Sequence, residues 1–159
     1  MKKMYHFTDG GLRNIWLANG FKIEKNPYGK SIAIEDQEGL TMAICKALAM
    51  KSAHLTGAEF RYIRQSMLLS QKSLGIQFGV TEQAVAKWEK TGKLPKYADS
   101  LMRVIFVAHS DGNEKVKNLV SAMNQSEQVI HLIMKETSKG WRHSEEKKSR
   151  RSSIEKVVS

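Results

Sequence analysis

Between residues 70 and 89 the apolar positions are spaced as two short helices. Leu74 and Phe78 recur at i and i+4, and Val85 and Trp88 recur at i and i+3. Ser70 is placed to cap the first helix, since its hydroxyl can accept from a first-turn N–H that has no helical partner. Gly79 supplies the left-handed backbone that ends a helix cheaply. Val80 is expected to pack beneath the turn, and Thr81 to cap the second helix. Gly75 costs some helix propensity but leaves room for a close approach. A glycine-centred turn between two short amphipathic helices is a helix-turn-helix signal.

The flanking pattern is helical as well. Leu40, Ala43, Ile44, Ala47 and Leu48 form one face over residues 36–50, with Glu35 and Asp36 at the end where the helix dipole favours acid. Phe60, Ile63 and Met67 form another over residues 58–67. Leu101, Met102, Ile105 and Phe106 form a third over residues 98–109, after a lysine-rich loop at residues 90–96. Residues 4–35 differ: short β-prone runs are punctuated by Gly10-Gly11, Asn19-Gly20 and Asn26-Pro27-Tyr28-Gly29. Asn-Gly between apolar runs is a hairpin cue, and Asn-Pro-x-Gly is a turn, so a small antiparallel sheet is expected. Gly10-Gly11 lacks the helix start and lysine of a phosphate-binding loop.

Beyond Asp111-Gly112-Asn113, Val116, Leu119, Val120 and Met123 form a modest apolar face, and Val129, Ile130, Ile133 and Met134 another. From Ser138 the composition turns to Lys, Arg, Ser and Glu. That leaves too little apolar surface to offset ordering entropy, and predicts disorder or a helix formed on a partner. Trp141 is the exception, a ring able to dock on the body. The expected fold is mainly α: a five-helix domain, a small antiparallel β module before it, and a flexible basic C-terminal tail. The expected divisions are residues 1–50, 55–125 and 126–159, the last a helical extension plus tail.

Charge sharpens this picture. The chain of 159 residues has a formal net charge of +10, which favours a polyanionic partner. Residues 58–103 hold eight Lys and Arg against four acids, and residues 139–159 hold seven against three. The single cysteine, Cys45, excludes an internal disulfide and a cysteine-only zinc site. It lies in an apolar helical run and is expected to be a buried, unreactive thiol. The five histidines show no ligand spacing. Carboxylates come as neighbours, such as Glu35-Asp36, which a helix points to different faces. No enzyme, metal or cofactor is expected. No apolar run reaches the roughly 20 residues that span a membrane, and residues 1–7 lack the apolar block of a secretion signal. A cytoplasmic protein is the expectation.

Leu69-Ser70-Gln71, the small residue at Gly75, Gly79-Val80-Thr81, Val85, Trp88-Glu89 and Leu94-Pro95 together resemble the helix-turn-helix of the Cro/phage-repressor-like (XRE) family, over about residues 57–107. The resemblance implies sequence-specific binding of double-stranded DNA as a homodimer, as in a repressor, with the second helix of the motif in the major groove. Thr81, Glu82, Gln83 and Ala84 then stand at the base edges, with Lys87 one turn on. Gln83 can pair with adenine, Lys87 can reach guanine or a phosphate, and Glu82 can accept from cytosine. Glu82 departs from the family's frequent glutamine. Gln71 matches a position that touches the DNA backbone, while Lys90, Lys93 and Lys96 are candidate phosphate contacts. The resemblance also implies an ion pair between Arg64 and Glu89. The order of the amino-terminal module, from Tyr5-His6-Phe7-Thr8 through Asn14-Ile15-Trp16-Leu17 to Glu38-Gly39-Leu40, resembles bacterial regulators that join a β-rich module to such a motif. Some are antitoxins, so a toxin protein is an alternative partner. With no CxxC pairs, a zinc ribbon is not carried over.

Overall fold

The computed structural model describes residues 3–113, 115, 118 and 130–147. They form five α-helices and three two-stranded antiparallel pairs, a mixture of helix and strand rather than a mainly α chain. The chain divides into two compact units with the boundary after residue 124.

In the first unit, β1 (Tyr5–Phe7) pairs with β2 (Ile15–Leu17) around a 3-10 turn at Asp9–Gly11, and β3 (Phe21–Asn26) pairs with β4 (Gly29–Ile34). The Asn26–Gly29 turn falls where the sequence predicts. Asn19-Gly20 closes no hairpin: β2 and β3 belong to different pairs, and Gly20, at φ 77°, makes a corner held by Glu35 N–H on its carbonyl at 2.9 Å. The expected single sheet is therefore two separate ladders: Phe7, Leu12 and Leu17 are drawn inward to the helices, and the longer hairpin meets the same core at its base through Phe21 and Ile34.

The helices are α1 (Gln37–Met50), α2 (Gly57–Ser66), α3 (Gln71–Phe78), α4 (Glu82–Thr91) and α5 (Lys96–Ser110). Asp36 caps α1 by accepting from Gly39 N–H. Thr56 and Glu59 form a capping box at the start of α2, each side chain bonding the other's backbone N–H. α2 packs against α1, α4 and α5, and six of its ten residues are buried, which makes it the axis of the unit. Phe60 is fully buried and meets Phe78 and Trp88 edge-on, at 6.2 and 6.1 Å between ring centres. One core joins Phe7, Leu12 and Leu17 to Phe60, Leu74, Val85, Trp88 and Phe106. The amino-terminal strands and the helices therefore stand on common apolar ground.

Two buried carboxylates tie the connections down. Glu59 accepts from Lys51 Nζ at 2.6 Å, from Thr56 N at 2.8 Å and from Asn14 Nδ2 at 3.5 Å. Asp99 accepts from Arg103 Nε at 2.9 Å and lies 3.0 Å from His54 Nδ1, while Arg103 also donates to the carbonyls of Lys51 and Ala53. Burial pushes both carboxyls up, and the donors facing them outweigh it, leaving both below their ordinary values. Cys45 is fully buried, and burial pushes its thiol up.

In the second unit, β5 (Ile130–Thr137) pairs with β6 (Gly140–Lys147) in a hairpin. This corrects two expectations. Ile133 and Met134 lie on a strand, not a helix face, and residues 140–147 are paired rather than part of a flexible tail. The cross-strand partners Met134↔His143 and Glu136↔Trp141 supply an order that counting apolar residues in one segment misses. The faces expected over Val116 to Met123, and the tail from residue 148, lie outside the described residues.

Two tests follow from this packing. A Cβ at Gly57 would lie 2.3 Å from the Glu89 carbonyl oxygen and 2.9 Å from that of Trp88, neither of which can rotate away. Gly57→Ala is expected to lower unfolding stability by about 1–3 kcal/mol in a urea titration, and an unchanged midpoint would refute the close approach. The depressed carboxyls also set a pH dependence. A folded value below the unfolded one gives stability that is present above about pH 4 and lost as pH falls through the folded values. The urea midpoint should drop on acidification below about pH 4, and Glu59→Gln should flatten that drop.

Candidate nucleic-acid interface

α3 and α4 are positioned locally by their caps. Ser70 Oγ accepts from Ser73 N at 3.0 Å, and Thr81 Oγ1 accepts from Ala84 N at 3.1 Å. Gly79 stops α3 at φ 69°. Val80 N–H then returns to the Gly75 carbonyl at 2.8 Å. A Cβ at Gly75 would come within 2.7 Å of the Val80 carbonyl oxygen, so this glycine lets the turn itself fold back over α3. Leu74, Phe78, Val85 and Trp88 are all buried. That leaves the opposite side of α4 to solvent: Thr81, Glu82, Gln83, Lys87 and Lys90 are exposed, as is Lys93 after the helix.

The inner side of α4 is locked by charge. Arg64 donates from Nε to Glu89 Oε2 at 2.7 Å and from Nη2 to Oε1 at 2.9 Å, a two-pronged bond, and from Nη1 to the Leu69 carbonyl at 2.7 Å. Both side chains are under a tenth exposed. Arg64 and Glu89 therefore stand together, the pairing that the resemblance implies. One guanidinium holds α2, the turn before α3, and α4. Gln71 belongs to this cluster: its Nε2 donates to Glu89 Oε1 at 3.3 Å. Its amide nitrogen is therefore turned inward, which leaves the side-chain oxygen and the backbone N–H at the start of α3 for any outside contact.

The exposed residues at the start of α4 form one surface with Lys87 a turn further on, while Lys90 and Lys93 lie toward its other end. Thr91 caps that end from within, donating from Oγ1 to the Lys87 carbonyl and accepting from Lys93 N–H. Sequence reasoning missed two supports of this helix. Trp88 meets Tyr97 edge-on at 6.1 Å, bracing α4 against α5, and the Gly57 approach seats its carboxyl end against α2. Neither has a short-range signature, because Trp88 and Tyr97 lie on different helices and Gly57 and Glu89 are far apart in the chain. Among the described residues no cluster of His, Cys, Asp and Glu suited to a metal is present, and no helix is long and apolar enough to cross a membrane. Comparison with protein-family models, with curated proteins and with solved structures finds no match to this chain.

The buried pair makes a sharp prediction. Arg64→Met strands the Glu89 carboxylate inside the protein and should cost about 3–5 kcal/mol. The double variant Arg64→Met/Glu89→Leu, which removes both charges, should recover most of that loss. Chemical denaturation of the two proteins measures the difference, and equal losses in both would show that the pair carries no coupled charge.

Proposed function

We propose that the protein is a sequence-specific double-stranded DNA-binding regulator of the XRE type, most simply a repressor, that places α4 in the major groove. The observation that carries this reading is the division of α4 into two sides. Val85, Trp88 and Glu89 fix one side, while Thr81, Glu82, Gln83 and Lys87 project from the other into solvent. Exposed polar side chains on the first turn of a rigidly seated helix are what base-edge reading requires. Gln83 is the residue suited to adenine, Lys87 to guanine or phosphate, and Glu82 to cytosine. Lys90 and Lys93 supply backbone contacts, which set register without reading sequence. One such helix spans only a few base pairs, so a homodimer on two related half-sites supplies the rest of the affinity.

Selection of bound duplexes from a random pool tests the reading, and a palindromic consensus is the expected result. On that site, Gln83→Ala should cost about 1–3 kcal/mol and relax preference at one position per half-site. Binding of scrambled DNA should barely move, because Gln83 carries no charge. Lys93→Ala should instead weaken every duplex by a similar factor. Equal losses on cognate and scrambled DNA for Gln83→Ala would remove that residue from the reading surface, and a pool that yields no consensus would overturn the function.

A further inference from the structure

The β3–β4 hairpin carries an arrangement that its own stability opposes. Its register puts Lys25 directly opposite Lys30, next to the closing pair Asn26↔Gly29. Residues that alternate along a ladder share a face, so the two lysines stand beyond the apolar pairs Phe21↔Ile34 and Ile23↔Ile32. Glu24, the nearest acid in sequence, falls on the other face. Neither lysine side chain has a hydrogen bond or ion pair among the described residues, and both residues are exposed. Like charges directly opposite each other destabilise a ladder. Tyr28 at the turn is 98 % exposed, so the tip is uncovered. The hairpin of the second unit repeats the device: Lys135 stands opposite Arg142, both exposed and neither side chain with a hydrogen bond or ion pair among the described residues.

We infer that the outer end of the β3–β4 hairpin is a second nucleic-acid contact, in which Lys25 and Lys30 together bind backbone phosphates. A polyanion lying across the tip relieves the repulsion between the two ammonium groups as it binds them, so a pair that is costly in the free protein becomes favourable in the complex. Lysine is a point charge on a flexible stem and contacts phosphate without reading bases. The contact therefore adds affinity and salt dependence rather than specificity. Nucleic acid is favoured over an acidic protein because the chain is basic as a whole, at +10, and because a duplex presents closely spaced phosphates along its whole length. The inference rests on the DNA-binding function proposed above, and its test separates the two.

The test compares wild type with Lys25→Gln/Lys30→Gln on the selected duplex and on a scrambled one, across a range of salt. Losing two phosphate contacts from each protomer of the homodimer should shrink the slope of log K against log salt by about 3.6 and weaken both duplexes about 900-fold at 0.15 M salt. The melting temperature should be equal or higher, since a repulsion is removed. Lys25→Arg/Lys30→Arg should keep the slope. A charge-matched control, Lys22→Gln/Lys46→Gln, should change it little, and an equal reduction there would overturn the inference in favour of net charge. An unchanged slope in the Lys25/Lys30 variant, with wild type still binding its consensus, would overturn the hairpin contact and leave the α4 reading standing. Failure of wild type to bind any duplex would overturn both. Loss of binding to poly-glutamate, with duplex binding intact, would reassign the tip to an acidic protein partner.

Discussion

The Arg64 guanidinium is the constraint on which the helical unit turns. Its N–H groups reach the Glu89 carboxylate twice and the Leu69 carbonyl once, joining α2, the turn before α3, and α4 at one planar group. Lysine could not do this, because an ammonium lacks the forked geometry that fixes both partners at once. Removing two charges from water is costly, and their attraction offsets that cost only when every polar atom is satisfied. Gln71 supplies the remaining donor to Glu89, and no buried side-chain nitrogen or oxygen among the described residues lacks a partner.

α2 carries this arrangement because each of its faces has a different task. Gly57 admits the carboxyl end of α4, Glu59 collects the ends of the preceding connections, Phe60 fills the centre, and Arg64 holds the motif. On a further side, Tyr62 lies against Gly10 so closely that a Cβ there would fall 2.5 Å from the ring. The amino-terminal strands are thereby joined to the same helix that positions α4. Two non-glycine residues among those described take a left-handed conformation, the α1 cap Asp36 at φ 47° and Leu68 at φ 57°; for Leu68, 93 % exposed, it is unfavourable because the side chain is bulky. Leu68 stands where α2 must turn sharply enough to bring the Leu69 carbonyl to Arg64.

What could be read from the sequence was what local chemistry decides. Ser70, Gly79 and Thr81 act on atoms within a few residues of themselves, so cap and turn geometry followed from residue type. The burial of Leu74, Phe78, Val85 and Trp88 followed from period. Asn19-Gly20 misled because a dipeptide specifies a turn but not which strands it joins, and burial of Leu17 against the helices decided the pairing instead. The β5–β6 hairpin was obscured for a related reason. Its strands mix apolar and charged residues without alternation, and its order comes from cross-strand pairs that become neighbours only after folding. The Asp99–Arg103 cluster was legible only as an i,i+4 pair; its grip on the Lys51 and Ala53 carbonyls joins residues about fifty positions apart.

A buried ion pair is a poor way to gain stability, since apolar side chains of similar size would often serve as well or better. Its value lies in geometry. An apolar contact between α2 and α4 would permit small rotations at little cost, whereas a two-pronged Arg–carboxylate bond loses much of its energy when the angle changes. Side chains that read base edges need their backbone held to within about half an ångström. Gln83 lies six residues before Glu89, within two turns of the same helix, so rotation at the clamp is carried to the exposed residues with little loss. Trp88, held between Phe60 and Tyr97, resists the same rotation from the adjoining position. Charge and ring packing thus restrain the same two degrees of freedom of α4, its roll and its tilt, and the polar side that faces solvent inherits that rigidity.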